Sequence, residues 1–462
     1  MKSMFKKTML AASCVTALGG ISMTAEAANW LMLQGTEPAG AAARARVWGF
    51  VQAEYQYMDQ TAVPRGPFGG QPMQPNLLGP ERRTNEGASI RRARIGVRGT
   101  GMPLDSKVNY FFLAEFGHNG ITVLNQSKGS ARLSDASVTL NHIKGARIRL
   151  GLFKTPGAEE GLAAIHIFDY NNFTNATDNL LLERFVSGDG SGTPGSGAAG
   201  STVTNTPRGP IGAFRDVGAQ VFDTFKGTNG WEHSYAVMIG NGNGLNRTGN
   251  SGNKDAYIYW ASEKVFGGKG GRRDGLKLLA WHQNGKRTLT TEDALGEGEY
   301  DRKRSGLGVI YRQGKYRAAF EYIKADGMII DGTDGGARPG SISTCQAGSP
   351  PPCVVGSTAS LNVNPKGEAD GWYAHFGYAV TPKWELDIRY DVLNRSTETA
   401  SRERKFDTLT LGAQYFLNKK SRVTFNYEVR NLEAPNAPGG ATPNVIGDAI
   451  EDRISLSVLA IF

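Results

Sequence analysis

The 462 residues carry 52 Lys and Arg against 43 Asp and Glu, a net charge of +9, and only 39% of them are hydrophobic. Beyond the first 27 residues no run of about 20 apolar residues occurs, which excludes membrane-spanning helices. The polar average does not exclude a membrane barrel, because only alternate residues of its strands meet lipid.

At the amino end, Lys2, Lys6 and Lys7 precede an apolar stretch from Met9 to Met23, and Ala25-Glu26-Ala27 has the small-x-small form of an export cleavage site. Residues 1–27 are therefore expected to be a signal peptide and 28–43 a short N-terminal segment, with a barrel from 44 to 462. Cys14 raises a lipidation alternative. Ala11-Ala12-Ser13 before it, and the continuation of the apolar stretch past it, argue against that. Loss of the leader (three Lys, one Glu) leaves +7. Such a charge suits acidic lipid or small anions; export argues against nucleic acid.

Strand-length segments with period-two alternation begin near Val47, Ile90, Val108, Arg132, Arg147, Asp216, Ser234, Ala256, Leu276, Gly306, Tyr316, Trp372, Trp384, Leu409, Val423 and Ile454. Sixteen is an even number, as a closed single-chain barrel needs. Ala93, Ile95 and Val97 oppose Arg92, Arg94 and Arg98; Ile148, Leu150 and Leu152 oppose Arg147 and Arg149; Leu386, Ile388, Tyr390 and Val392 oppose Glu385, Asp387, Arg389 and Asp391. A soluble sandwich also alternates, but its apolar faces meet a second sheet. Here the apolar faces suit lipid throughout, and the charged faces require a wet interior. In the third segment Phe111 and Leu113 break the polar face. Tight hairpins are expected at Arg312–Lys315 and Leu417–Lys420. Pro- and Gly-rich stretches at 63–86, 187–210, 326–369 and 431–447 read as loops. One of them holds Cys345 and Cys353, a candidate disulfide permitted by the exported compartment.

Aromatic residues recur at segment ends (Trp48, Phe50, Tyr55, Tyr57, Tyr257, Tyr259, Trp260, Trp372, Tyr373, Trp384, Tyr415), as interfacial girdles would require. The last segment places Ile454, Leu456, Val458, Ala460 and Phe462 on one face. Such an edge is an aggregation hazard unless it pairs with the first strand, and the terminal Phe462 resembles the assembly signal of outer-membrane barrels.

Arg91-Arg92-Ala93-Arg94-Ile95-Gly96, Gly151 to Gly157 with Glu159-Glu160, Glu183-Arg184-Phe185, Arg215 to Gly218, Ile239 to Gly244, Gly377-Tyr378 through Trp384 to Asp391 and the final Phe462 run in one order from about residue 44 to the end. This ordered set resembles the phosphate-selective porin O/P family. The resemblance implies an all-β, sixteen-stranded transmembrane antiparallel barrel of a Gram-negative outer membrane, a homotrimer, with a loop folded inward to narrow the pore. It does not extend to the family's whole arginine ladder, so phosphate selectivity is not implied.

If the apolar faces meet lipid, Arg92, Arg94, Arg98, Lys107 (assigned to the third strand), Arg147 and Arg149 point into the lumen. There, guanidinium forks suit phosphate and carboxylate oxygens. The alternative is ordinary lining, balanced by Asp135, Asp216, Glu321 and Glu385. Residues 157–184, after Lys154 and carrying Glu159, Glu160, Asp169 and Arg184, are the candidate for the inward loop; the alternative is a surface cap. No P-loop, EF-hand or H-x-x-x-H pair occurs, so no metal, cofactor or catalytic group is expected. The expected function is passive diffusion of small hydrophilic solutes, favouring anions such as phosphate. The alternatives are a weakly selective general porin, an outer-membrane hydrolase or a plugged adhesin-like barrel. Expected partners are outer-membrane lipid, small anionic solutes, two further copies of the chain and the barrel-assembly machinery.

Overall fold

The computed structural model describes residues 30–33, 36, 44–58, 64–65, 86–101, 105–117, 131–182, 184–186, 207–211, 214–242, 252–268, 270–290, 297–331 and 362–462. The leader, Cys345 and Cys353 lie outside them. Twenty strands form among the described residues. In chain order they are β1 (Arg44–Met58), β2 (Glu86–Thr100), β3 (Val108–Glu115), β4 (Arg132–Leu140), β5 (Arg147–Lys154), β6 (Arg184–Val186), β7 (Pro207–Ile211), β8 (Arg215–Lys226), β9 (Trp231–Gly240) and β10 (Asp255–Gly267). There follow β11 (Asp274–Thr290), β12 (Glu297–Gln313), β13 (Tyr316–Asp326), β14 (Ile329–Asp331), β15 (Asn362–Asn364), β16 (Glu368–Ala379), β17 (Trp384–Arg395), β18 (Arg404–Asn418), β19 (Ser421–Glu433) and β20 (Arg453–Ile461).

Sixteen of these close into one antiparallel barrel; β6 with β7 and β14 with β15 form separate two-stranded sheets. Each of the sixteen expected segments falls on a barrel strand. The seam is the pairing of β20 with β1, from Phe50 opposite Ile461 to Met58 opposite Arg453. Short turns join one end of the strands. The hairpin at Gly314-Lys315, with Gly314 at φ +57°, is one, and Lys419-Lys420 is another. Long connections gather at the other end. Strand length is uneven: β3, β4 and β5 have 8, 9 and 8 residues, β11 and β12 have 17 each.

Alternation sorts the side chains as lipid and water would. Val47, Leu150, Ile258, Leu307 and Leu386 are among the exposed apolar residues on the outer wall, while Arg92, Arg149, Asp387, Arg389 and Asn426 are buried on the inner one. No helix among the described residues is long and apolar enough to cross a membrane. An arginine at the middle of the outer wall would strand a charge in hydrocarbon. Leu307→Arg, on the long strand β12, is expected to destabilise the barrel by about 2–4 kcal/mol, read by equilibrium denaturation in phospholipid vesicles; an unchanged midpoint would mean that this wall does not face lipid.

Two expectations need correction. Trp48, Phe50, Tyr257, Tyr259 and Tyr373 are not girdle residues. Phe50, Tyr257, Tyr259 and Tyr373 are buried and Trp48 lines an interior cavity, while Tyr55, Tyr57, Trp260 and Trp384 are exposed outside. The sequence motif of a strand-end aromatic is the same on either face; only strand parity separates them. Likewise Lys107 is not on a strand. It ends the exposed Asp105–Lys107 turn before β3, where its backbone N–H donates to Asp105 Oδ1 at 2.7 Å.

Candidate functional site in the barrel lumen

The connection after β5 does not leave the barrel as a surface cap. From Thr155 to Leu182 it runs as short helical turns whose side chains reach walls on opposite sides. Glu159 accepts from Lys277 Nζ of β11 at 2.5 and 2.6 Å. Glu160 accepts from Arg389 of β17 at 3.2 Å and from Thr174 Oγ1 within the loop at 2.6 Å. Asp169 accepts from Arg272, in the turn before β11, at 2.5 Å. Asn171 is held by Asn426 of β19 at 2.8 Å and by Ser457 of β20 at 2.6 Å. Asn175 binds Asp391 and Thr408 at 2.8 and 2.9 Å, and Arg304 of β12 donates to the carbonyl of Leu180 at 2.6 Å. Partners on β11, β12, β17, β18, β19 and β20 fix the loop across the lumen. Burial alone would push the Asp169 carboxyl up, but the guanidiniums of Arg272 and Arg317 hold it well below its ordinary range.

The loop divides the interior into two chambers. One, with about 850 Å³ of open space, is bordered by β10–β13, β16 and β17. Its charges are mixed: Arg272, Arg273, Lys277, Arg312, Arg317 and Arg389 face Glu159, Glu160, Asp169 and Glu263. The second, about 960 Å³, lies between the loop and β1, β2, β3, β4, β5 and β8. Arg46, Arg94, Arg98, Lys154 and Arg215 line it against a single carboxylate among the described residues, Asp135. Counting Glu115, which accepts from Arg94 at 2.6 Å, the cations still outnumber the carboxylates. His166 of the loop also faces this chamber; burial first, then Arg422, Arg94 and Lys154, hold its pKa down at about 3, so the ring is neutral near pH 7.

The sequence-predicted residues distribute as follows. Arg94, Arg98 and Lys154 line the second chamber, with Lys154 donating to the carbonyls of Leu162 and Ala163 at 3.3 and 2.6 Å. Arg92 lies in a smaller recess with Arg94, Lys154, Glu160 and Arg215. Arg147 pairs with Asp223 at 3.2 Å, and the Arg149 guanidinium sits 4.2 Å from the Phe222 ring. Glu159, Glu160 and Asp169 anchor the loop. Arg184 lies on β6, and its side chain is outside the described set.

Sequence reading missed Arg91. A bulge opposite Gln52/Ala53 lets both Arg91 and Arg92 turn inward, where Arg91 pairs with Glu54 and donates to Asn172 of the loop at 2.9 Å. A two-residue period cannot show an inserted residue. Arg272 and Arg273 were missed because they precede β11 in a turn, where no alternation marks them. Asp169, His375 and Asp387 bring ligand-type atoms within 4.8 Å of one another. Since Asp169 is held by Arg272 and Asp387 by Arg317 at 2.7 Å, the donor set fits an ion-pair network better than a metal.

The family model describing Gram-negative porins matches residues 15–435. Among solved structures, OmpF of Salmonella typhi in complex with daunomycin is similar at 13% identity and a TM-score of 0.50, covering 91% of this chain and 98% of that one. A loop-deletion mutant of OmpT, an outer-membrane protein of Vibrio cholerae, matches at 11% identity and a TM-score of 0.47, covering 91% and 100%. No curated protein matches the chain.

Proposed function

The chain belongs to the Gram-negative porin family, and from that premise we propose that it is an outer-membrane channel for passive diffusion of small hydrophilic solutes, favouring anions. The observation that carries the preference is the second chamber, where among the described residues five cationic side chains meet Asp135 and the Arg94-bound Glu115. A wet passage with low-dielectric walls focuses such a field onto the permeating ion. Resemblance to the phosphate-selective porin O/P family supports a homotrimer and makes phosphate a candidate anion, without the whole arginine ladder that would make it the preferred one. The mixed charge of the first chamber favours a second reading, a general porin of weak selectivity. Neither reading assigns a catalytic role.

The test is the zero-current potential of the purified protein in a planar bilayer under a KCl gradient, with and without phosphate. The expected sign is that of an anion-permeable pore; the opposite sign would overturn the proposal. Arg92→Glu with Arg94→Glu should lower the anion/cation permeability ratio, since each exchange replaces a cation by an anion beside Lys154 and Arg215. An unchanged ratio would remove both residues from the field that ions sense.

A further inference from the structure

The cationic chamber is lined by aromatic rings. Inner walls of water-filled barrels are otherwise polar, yet Trp48 and Phe50 of β1 and Phe111 and Leu113 of β3 all border this space. Trp48 and Phe111 stack with centroids 6.0 Å apart and planes at 23°. The guanidinium of Arg98 lies 5.8 Å from the Phe111 ring and that of Arg94 5.7 Å from the Phe50 ring. Packing of the loop accounts for Phe50, which is 1% exposed and lies 5.2 Å from the ring of His166. The same ring lies 5.8 Å from that of Trp48, but this contact leaves the polar edge of the indole unsatisfied. The indole N–H of Trp48 is buried without a hydrogen-bond partner among the described residues. It lies beside Gly96 of β2, where a Cβ would sit only 3.2 Å from that nitrogen. An orphaned buried donor costs free energy that an entering acceptor recovers.

We propose that this chamber binds aromatic monocarboxylates. The ring would lie against the Trp48 and Phe111 pair, and the carboxylate would meet the field of Arg94, Arg98 and Lys154 and accept from the Trp48 indole. Phosphate or chloride would use the cations and leave the rings idle; a neutral arene would use the rings and leave the cations idle. Only a ligand with both parts fits the whole lining. The proposal rests on the anion-preferring reading above and names the substrate class within it.

The experiment is block of chloride current through the full mature chain in a planar bilayer by benzoate, acetate and phosphate. Benzoate should half-block at a concentration about tenfold below that of acetate, the return expected from an aromatic contact added to equal charge. Trp48→Leu and, separately, Phe111→Leu should each remove most of that difference. Benzoate no better than acetate would overturn the aromatic site while leaving anion preference intact, and phosphate blocking better than benzoate would overturn it in favour of a purely ionic site. A zero-current potential of cation-permeable sign would overturn the anion reading itself, and this inference with it. The comparison of ligands on the unmodified protein stands whether or not either variant assembles.

Discussion

Replacing Glu160 by alanine is expected to release the constriction loop and to raise and destabilise single-channel conductance. Glu160 is 4% exposed and Arg389 2%. The carboxylate accepts from Arg389 on the far wall and from both the N–H and the hydroxyl of Thr174. It therefore ties the two halves of the loop to each other and to β17. Removing one partner of a buried pair costs about 3–5 kcal/mol where the other charge is left alone; Asp391, 3.9 Å from Arg389 Nε, keeps the cost below that. Arg389 would keep its bond to the Asn172 carbonyl at 3.1 Å and its position 4.3 Å from the Tyr170 ring, so local misplacement of the loop is expected rather than unfolding of the barrel. Proteolysis within residues 155–182 should accelerate together with the conductance change. Glu160→Gln, which keeps an acceptor for Thr174, should fall between. Conductance identical to that of the unmodified protein would show that Asn171 and Asn175 carry the docking instead.

Deletion of Phe462 is expected to reduce the yield of closed barrel sharply. Its N–H donates to the Gly49 carbonyl at 2.9 Å and its carbonyl accepts from the Gly49 N–H at 3.3 Å, the last pair of bonds in the seam. At about 0.5–1.5 kcal/mol each, the two bonds matter because the seam is the one junction that cannot form until the whole chain is present. The ring lies over Gly49, where a Cβ would come within 2.5 Å of it and 2.2 Å of the Arg94 carbonyl; a side chain at Gly49 should fail in the same way. Mobility of unheated samples on denaturing gels reports closure. We further propose that the terminal ring serves as the signal read by the assembly machinery. Phe462→Tyr, which retains an aromatic ring, should then assemble normally, and equal closure of the deletion and the full chain would dispose of both ideas.

The strands were legible because lipid on one side and water on the other impose a rule on every second residue, as in Ile95 against Arg94 or Ile388 against Asp387. Leu456 and Val458 announced the closing seam by being too apolar for an open edge. What escaped the sequence was whatever breaks the period or depends on distant walls. The Arg91 bulge shifts the register by one residue. Tyr257 and Tyr373 look like girdle residues until parity places them beside Asp255 and Glu321. The loop's tendency to turn inward was suggested by its acids and by resemblance. Its path was not, because it is set by pairings such as Asn171 with Ser457, 286 positions apart. The buried Trp30–Leu33 turn, packed within the same apolar cluster as Leu162 and Trp281, had no strand pattern to betray it.

The unequal strands bear on how the barrel sits in its bilayer. An eight-residue strand is about 27 Å long, and at a tilt near 40° it stands only about 21 Å high. The hydrophobic belt of such membranes is about 25 Å, so the arc formed by β3, β4 and β5 is too low to match it, whereas the 17-residue strands β11 and β12 rise well beyond it. Left bare, that low arc would force the surrounding lipid to thin. Covered by a neighbouring barrel, it would carry no such mismatch, and the low side is therefore where copies of the chain would gain most by meeting.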